Sequence, residues 1–527
     1  VNAAPTGPRG ARAALGRALV ATGALPLSFA FAAGVATVFA FAPFSLAGLP
    51  VLSLALLLLL WQGAAPGQAG GLGLAFGCGL FGTGVPWLVL ALHTYGGMAA
   101  PLAVIAVGGL VAYLALFPAL AGYLGCRWSR PGTVGRLYAA AAAWTLAEWA
   151  RSFVLTGFPW LSLGYAQLPA GAATPLAAYA PLGGVFLVTL CSAVASVALV
   201  AAIDAAGSGT WRRCAAPFAT AAAVFGAGVA LDRIEWTAPA GATQVSLLQG
   251  NVEQERKFDP EFRDRTYALY RELAAASRGR LVVLPESAFP TFADEVPDAV
   301  LHEFRQLAAA RGGDVLIGLF TAEAPAAGET GFRYYNSVIS VGASPPQLYR
   351  KRHLVPFGET IPADAIVGAF IRQVLAIPLA SQTPGDAGQP PLDIAGQRVA
   401  VNICYEDAFG EEIRTQAAGA TLLVNVTNDA WYGRSLAAEQ HNQIAAMRAR
   451  EVGRPLLRAT NTGITSAIGP DGRELARLPW FERGVLEIEV VGRRGTTPFT
   501  RFGDLPAALL ALAILVVASV TASRRRD

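Results

Sequence analysis

Apolar positions along this chain gather into long uncharged runs. Residues 18–126 contain no Asp, Glu, Lys or Arg, and neither do 152–203, 214–231 or 505–523. One membrane crossing by a helix takes about 20 apolar residues, so the first run holds several. Phe41-Ala-Pro-Phe44, the stretch from Gln62 to Gly71 and the stretch from Tyr95 to Pro101 divide it. The pattern predicts spans near 18–41, 49–62, 72–93, 101–125, 137–156, 175–202 and 214–231, with a last one at 505–522. A basic start followed by an apolar run also describes a signal peptide. Here the uncharged sequence continues well beyond any such segment, so an uncleaved first span is expected.

After residue 231 the pattern shortens and alternates. Thr243–Leu248, Leu281–Leu284, Val315–Phe320, Asn336–Val341, Val399–Ile403, Leu422–Val426 and Val485–Val491 read as strands. Glu261–Ser277 and Ala437–Glu451 read as helices. About 250 residues of alternating α and β suffice for one domain around a buried sheet. The division expected is therefore a membrane domain over 1–231 with about seven spans, a water-exposed domain over 232–504, and a transmembrane helix with a basic tail over 505–527.

Composition sharpens that division. The chain is 14% charged, against roughly 25% in an ordinary soluble domain. Of its 76 charged residues, 61 lie between Asp232 and Asp504, where acidic residues outnumber basic ones 33 to 28. That balance argues against nucleic acid as a partner. Basic clusters sit at Arg9/Arg12/Arg17, Arg127/Arg130/Arg136, Arg212/Arg213 and Arg524/Arg525/Arg526. With eight spans all four clusters fall on one side, which the positive-inside rule makes the cytoplasm. The 232–504 domain then faces outward, and both termini are cytoplasmic.

Candidate chemistry is sparse. Cys78 and Cys191 lie in expected spans and Cys126 and Cys214 at span ends, so Cys404 is the one cysteine of the outward domain. Alone, it reads first as a small buried hydrophobe ending a strand. A metal is not expected, because His302, His353 and His441 have no ligand spacing. Only two of the 40 basic residues are lysine. Lys351 stands between Arg350 and Arg352, where a simple need for charge would be met by a third arginine; a compact ammonium suits oxyanion stabilisation or proton transfer. Lys257 is taken as a charge on a solvated face. Glu286 directly follows an apolar strand, where a carboxylate shielded from water can act as a base towards a thiol; the alternative is an exposed turn acid. Glu148 and Arg151 share one helix face inside an otherwise uncharged span. They are expected to pair with each other, or Arg151 to meet a lipid headgroup.

Leu284-Pro-Glu-Ser-Ala-Phe-Pro290, Tyr349-Arg-Lys-Arg-His-Leu-Val-Pro-Phe-Gly-Glu359 and Asn402-Ile-Cys-Tyr-Glu-Asp-Ala-Phe409 resemble, in order, the three motifs of the nitrilase (carbon–nitrogen hydrolase) superfamily. Within it the chain is similar to the apolipoprotein N-acyltransferases, which place membrane spans before the nitrilase-like domain and one after it. Phe41-Ala-Pro-Phe44, Leu155-Thr-Gly-Phe-Pro-Trp160, Gln249-Gly-Asn251 and Asn428-Asp-Ala-Trp-Tyr-Gly433 fit the same family, so the resemblance covers essentially the whole chain.

The resemblance implies a multi-pass α-helical membrane domain of about eight spans plus an α/β nitrilase-like α-β-β-α sandwich. It implies Glu286 as general base, Cys404 as nucleophile and Lys351 as stabiliser of the tetrahedral intermediate. Glu359 matches a second, supporting glutamate. Tyr405, Glu406 and Asn336 match positions lining the pocket, and Trp431 an aromatic on a mobile loop that meets acyl chains. The implied donor is a membrane phospholipid, and the acceptor is the α-amino group of a diacylglyceryl-cysteine apolipoprotein. No cofactor, a monomer and a location in the bacterial cytoplasmic membrane are expected. Three rivals stand beside this reading: a membrane-tethered amidase using the same triad, a transporter with an outward binding domain, and catalysis by Cys404 with His441 or His353. The near absence of ionisable residues in the spans disfavours a transporter.

Overall fold

A computed structural model describes residues 23–169, 173–209, 212, 214–325, 332–361 and 382–523. The Arg9/Arg12/Arg17 cluster, Arg213, the Arg524–Arg526 tail and the start of the first expected span lie outside them. The described residues fall into two compact units, one drawn from 1–86, 105–234 and 504–527, the other from 87–104 and 235–503.

The first unit is helical. Ala24–Val38, Leu49–Gln62, Pro66–Gly84, most of Ala100–Arg127, Val134–Arg151, Ala180–Ser208, Ala215–Leu231 and Leu505–Ser523 occupy the apolar runs. Among the described residues, three stretches are long and apolar enough to cross a membrane alone: Ala100–Arg127, Pro175–Gly207 and Leu505–Ser523. A fourth qualifies if Pro66–Gly84 and Leu88–Tyr95 count as one crossing, while Ala24–Val38, Leu49–Gln62 and Ala215–Leu231 are apolar but shorter. The third expected span needs a changed boundary. Its helix starts at Pro66 and stops at Gly84, because Pro86 lacks an N–H and its ring clashes with the preceding turn.

With lipid outside and apolar side chains within, helix association depends on close packing and on polar satisfaction. A Cβ on Gly34 would strike the Phe76 carbonyl, and one on Gly79 the Phe31 carbonyl, so helices Ala24–Val38 and Pro66–Gly84 meet backbone to backbone. Arg136, expected to act as a topogenic charge, is instead buried. Its guanidinium donates to the carbonyls of Trp61, Gln62, Ala64, Cys126 and Ser129 at 2.8–3.5 Å. It thereby satisfies acceptors left over where helices Leu49–Gln62 and Ala100–Arg127 end, at the negative ends of both helix dipoles.

The second unit is an α-β-β-α sandwich of two six-stranded sheets. One has the order β12-β1-β2-β3-β4-β5, from β1 (Ala238–Gln249), β2 (Leu281–Val283), β3 (Asp314–Glu323), β4 (Arg333–Gly342), β5 (Leu348–Arg350) and β12 (Gly484–Arg494). The other runs β11-β10-β9-β8-β7-β6, from β6 (Leu392–Ile394), β7 (Gln397–Ile403), β8 (Leu422–Thr427), β9 (Leu456–Thr460), β10 (Ser466–Ile468) and β11 (Glu474–Arg477). β1, β2 and β3 are parallel, as are β7, β8 and β9, and antiparallel strands flank both sets.

Continuous apolar sequence in the central strands follows from burial of both faces. On the outer face of the first sheet, Leu248, Val282, Val315 and Ile317 pack with Tyr267 and Tyr270 of helix Arg263–Ala276 and Phe304 of helix Asp298–Ala309. In the second, Ala400, Leu423 and Leu456 pack with Ile413 of helix Gly410–Ala417 and with Ala445 and Ala449 of helix Leu436–Val452. The parallel strands share one consequence: β2, β7, β8 and β9 all run out at their C-terminal ends into turns that carry polar residues.

Candidate active site

Glu286 lies three residues beyond the end of β2. The turn is tight, with Ser287 in the left-handed region (φ 47°), and β3 accommodates it through Gly318. A Cβ at Gly318 would stand 2.9 Å from Glu286 Cα and 2.8 Å from Ser287 N, closer than any real packing contact. Glu286 Oε1 accepts from Asn336 Nδ2 at 2.7 Å, and Oε2 accepts from Asn428 N at 2.9 Å. The carboxylate is thus fixed from β4 on one side and from the end of β8 on the other.

Lys351 follows β5. Its buried ammonium lies 2.8 Å from Glu359 Oε1 and 3.5 Å from Glu286 Oε1. Asn336 Nδ2 reaches Glu359 Oε1 as well, at 3.3 Å, while Glu359 Oε2 accepts from Val355 N at 2.8 Å. One lysine and one asparagine therefore bridge two carboxylates. Burial alone would discharge Lys351, but Glu359 and Glu286 outweigh it and raise its pKa, favouring the charged form.

Cys404 begins the 3-10 turn Cys404–Ala408 at the end of β7, with φ 54°. A non-glycine residue seldom takes that conformation, and where one does it commonly marks a functional turn. Its carbonyl is held by Asn425 Nδ2 at 3.0 Å. Burial, followed by the charge of Glu286, pushes the thiol pKa well up, with Lys351 opposing. That shift favours the neutral thiol over the thiolate.

Glu406, two residues on, joins this turn to the lysine loop. It accepts from Ile403 N at 2.6 Å, from Arg352 N and His353 N at 2.7 and 3.1 Å, and from the Tyr349 hydroxyl at 3.0 Å. Burial raises its pKa to about 7 against those bonds. Tyr405 packs edge-on to His353 and Phe409, with centroids 5.8 and 5.0 Å apart. Trp431 lies in the turn Asp429–Tyr432, edge-on to Tyr95, and Tyr432 meets Trp87 at 4.7 Å. Thus Glu286, Lys351, Cys404, Glu359, Asn336 and Glu406 form one cluster, with Tyr405 and Trp431 on its adjoining turns.

Arg151 lies in the helical unit and is 1% exposed. Its guanidinium donates to the carbonyls of Phe158 and Trp160 and to Ser162 Oγ. Glu148 accepts from Leu163 N at 3.0 Å, Thr189 Oγ1 at 2.8 Å and Trp144 Nε1 at 3.0 Å. Both residues brace the 158–163 segment.

Several residues escaped the sequence reading. Lys257 was expected on a solvated face, yet it is 3% exposed and donates to the Glu286 main-chain carbonyl at 3.0 Å. Its scarcity was the signal, the same one that singled out Lys351. A buried ring of four charged side chains was missed too. His441 bridges Asp407 and Asp429 at 2.8 and 3.0 Å, and Arg458 bridges the same pair at 2.8 and 3.3 Å. Burial and Arg458 push His441 down, but the two carboxylates prevail and raise it to about 9. Both imidazole nitrogens face carboxylates, and His353 pairs with Glu412 at 2.8 Å while stacking on Phe409. His441 Nε2 also lies 3.3 Å from the Cys404 main-chain oxygen. The ring ties the Cys404 turn to the turn whose Asn428 N holds Glu286.

Known proteins match this architecture in two parts. Residues 244–498 match the carbon-nitrogen hydrolase family, and residues 33–200 match the apolipoprotein N-acyltransferase N-terminal domain. An apolipoprotein N-acyltransferase of Nitrosomonas europaea is 46% identical, covering 94% of this chain and 98% of its own. Those of Chromobacterium violaceum and Methylococcus capsulatus are 43% and 42% identical, covering 94% of this chain and 93% and 96% of theirs. The sandwich and its site define a carbon–nitrogen hydrolase domain joined to a helical membrane region. The chain belongs to the apolipoprotein N-acyltransferase family.

Proposed function

We propose that this enzyme moves a fatty acyl chain from a membrane phospholipid to the α-amino group of a diacylglyceryl-cysteine apolipoprotein, through a thioester on Cys404. One observation carries the assignment: a buried thiol under the electrostatic influence of Glu286 and Lys351, whose own charged groups stand 3.5 Å apart. As Cys404 attacks the ester carbonyl, its proton passes to Glu286. Lys351, already charged, stabilises the oxyanion of the tetrahedral intermediate. Collapse expels the lysophospholipid alkoxide, which takes the proton from Glu286. The acceptor amine then attacks the thioester carbonyl, its proton goes to Glu286, and the departing thiolate recovers it. Glu359, Asn336 and Glu406 orient these groups, and Trp431 borders the site from the neighbouring turn.

Both substrates are lipid-anchored, so a site at the bilayer surface meets them without extracting either into water. Purified chain, incubated with phospholipid micelles and a diacylglyceryl-cysteine peptide, should add one acyl chain to the peptide amine. Release of free fatty acid or hydrolysis of small soluble amides, with no acylated peptide, would establish the amidase reading instead.

The membrane arrangement belongs to the same proposal: about eight spans, the 232–504 domain outside the cytoplasmic membrane and both termini inside. A cysteine replacing Arg278 should react with an impermeant thiol reagent on intact cells, and one replacing Arg130 should react only after permeabilisation. The opposite labelling pattern would reverse the orientation.

A further inference from the structure

Both lysines of this chain bring a buried ammonium to the same residue. Lys351 approaches the Glu286 carboxylate at 3.5 Å, and Lys257 donates to the Glu286 main-chain carbonyl at 3.0 Å. Lys257 ends the short helix Gln254–Lys257 and is 3% exposed. An ammonium has three N–H donors, and among the described residues the Glu286 carbonyl is the one acceptor it meets. Burying a charge with so few partners costs folding free energy. Arginine, which supplies nearly every other positive charge here, is a wide planar fork where this position holds a compact point charge.

We propose that Lys257 is a positioning residue for Glu286 and the second cation of the Cys404 site. The bond to the Glu286 carbonyl pins the strained turn at Ser287. Glu286 then keeps Oε1 on Asn336 and Oε2 on Asn428 while it receives the thiol proton. Transfer of that proton neutralises Glu286 and moves negative charge to sulfur and then to the substrate oxygen. A fixed ammonium beside this path favours the displaced charge without reorganising. The groups acting on Lys257 are Glu286, from the turn after β2, and Cys404, from the turn after β7. Lys351 and Glu359 lie at the carboxylate end of Glu286. One turn back on its own helix, Gln254 accepts from Asn428 Nδ2 at 2.8 Å.

Burial lowers Lys257 to about 8, with Glu286 and Cys404 pulling the other way. The charged form therefore prevails below that pH and is lost as pH rises through it. The inference rests on the assignment of Glu286 and Cys404 made above, and the test separates the two. Full-length protein in mixed micelles of phospholipid and detergent, without acceptor, is followed by intact mass between about pH 6.5 and about pH 9.5. Wild type should acylate and slow as pH rises through about 8. Lys257→Met should acylate at least about tenfold more slowly with little change in half-saturating phospholipid, and its profile should lack the slowing step centred near pH 8. Lys257→Arg, which stays charged, should recover part of the rate and likewise lack the step near pH 8. A folded Lys257→Met with wild-type rate and profile would overturn the proposal. Should that variant fail to fold, Lys257→Arg decides: persistence of the step centred near pH 8 would overturn it equally. Absence of any acyl adduct on wild type would instead remove the Cys404 assignment, and this inference with it.

Discussion

Lys351→Arg should lower acyl transfer at least about a hundredfold, comparable to removing one donor from an oxyanion hole. The substitution keeps the charge, so it isolates shape. The Lys351 ammonium is 1% exposed and fits between two carboxylate oxygens at 2.8 and 3.5 Å. A guanidinium is planar and wider, and it prefers to grip one carboxylate with two parallel bonds. In this space it would draw Glu359 or Glu286 out of its bond with Asn336. The loss should appear in kcat with a smaller change in KM, because the interaction strengthens as the oxyanion forms. It should also appear in both half-reactions, since each passes through a tetrahedral intermediate. Near-normal turnover by a folded Lys351→Arg protein would demote Lys351 to a structural cation.

The sequence disclosed best what depends on neighbouring residues. Leu281–Val283, Val399–Ile403 and Leu422–Val426 were legible as strands because burial of both faces makes them apolar throughout. β5, β6, β10 and β11, of three or four residues each, are too short to show a period, and their pairing partners set them. The apolar helices were legible as runs without charge, whereas the break at Pro86 depends on one ring and does not show in such a run. Glu286, Lys351 and Cys404 stood out through motifs whose residue types match a reaction. Glu406 was placed in the pocket, but its part as the clamp on the Arg352 and His353 amides needed coordinates. The ring around His441 was illegible for a physical reason. Asp407, Asp429, His441 and Arg458 come from separate elements, and any one of them resembles a surface charge until burial is known. Lys257 carries the same signal as Lys351, the scarcity of lysine, and both are buried.

Incubated with phospholipid alone, the protein should gain the mass of one fatty acyl group on the peptide containing Cys404, and neutral hydroxylamine should remove it. The thiol is neutral at rest because burial and the Glu286 charge oppose its ionisation, so attack must be coupled to proton transfer. In the proposed mechanism the proton goes to Glu286, whose carboxylate is fixed at 2.7 and 2.9 Å by Asn336 and Asn428. Cys404→Ala should form no adduct and transfer no acyl chain. Glu286→Gln should acylate far more slowly, since an amide cannot take the proton; general-base loss typically costs about a hundredfold or more. Because donor product leaves before acceptor enters, rates varied against both substrates should give parallel double-reciprocal lines. Preformed acyl-enzyme, freed of phospholipid and mixed with a diacylglyceryl-cysteine peptide, should discharge onto the amine in one turnover. Intersecting lines, with no adduct at any time after mixing, would mean direct transfer within a ternary complex. Cys404 would then be no nucleophile, and its left-handed turn would need another explanation.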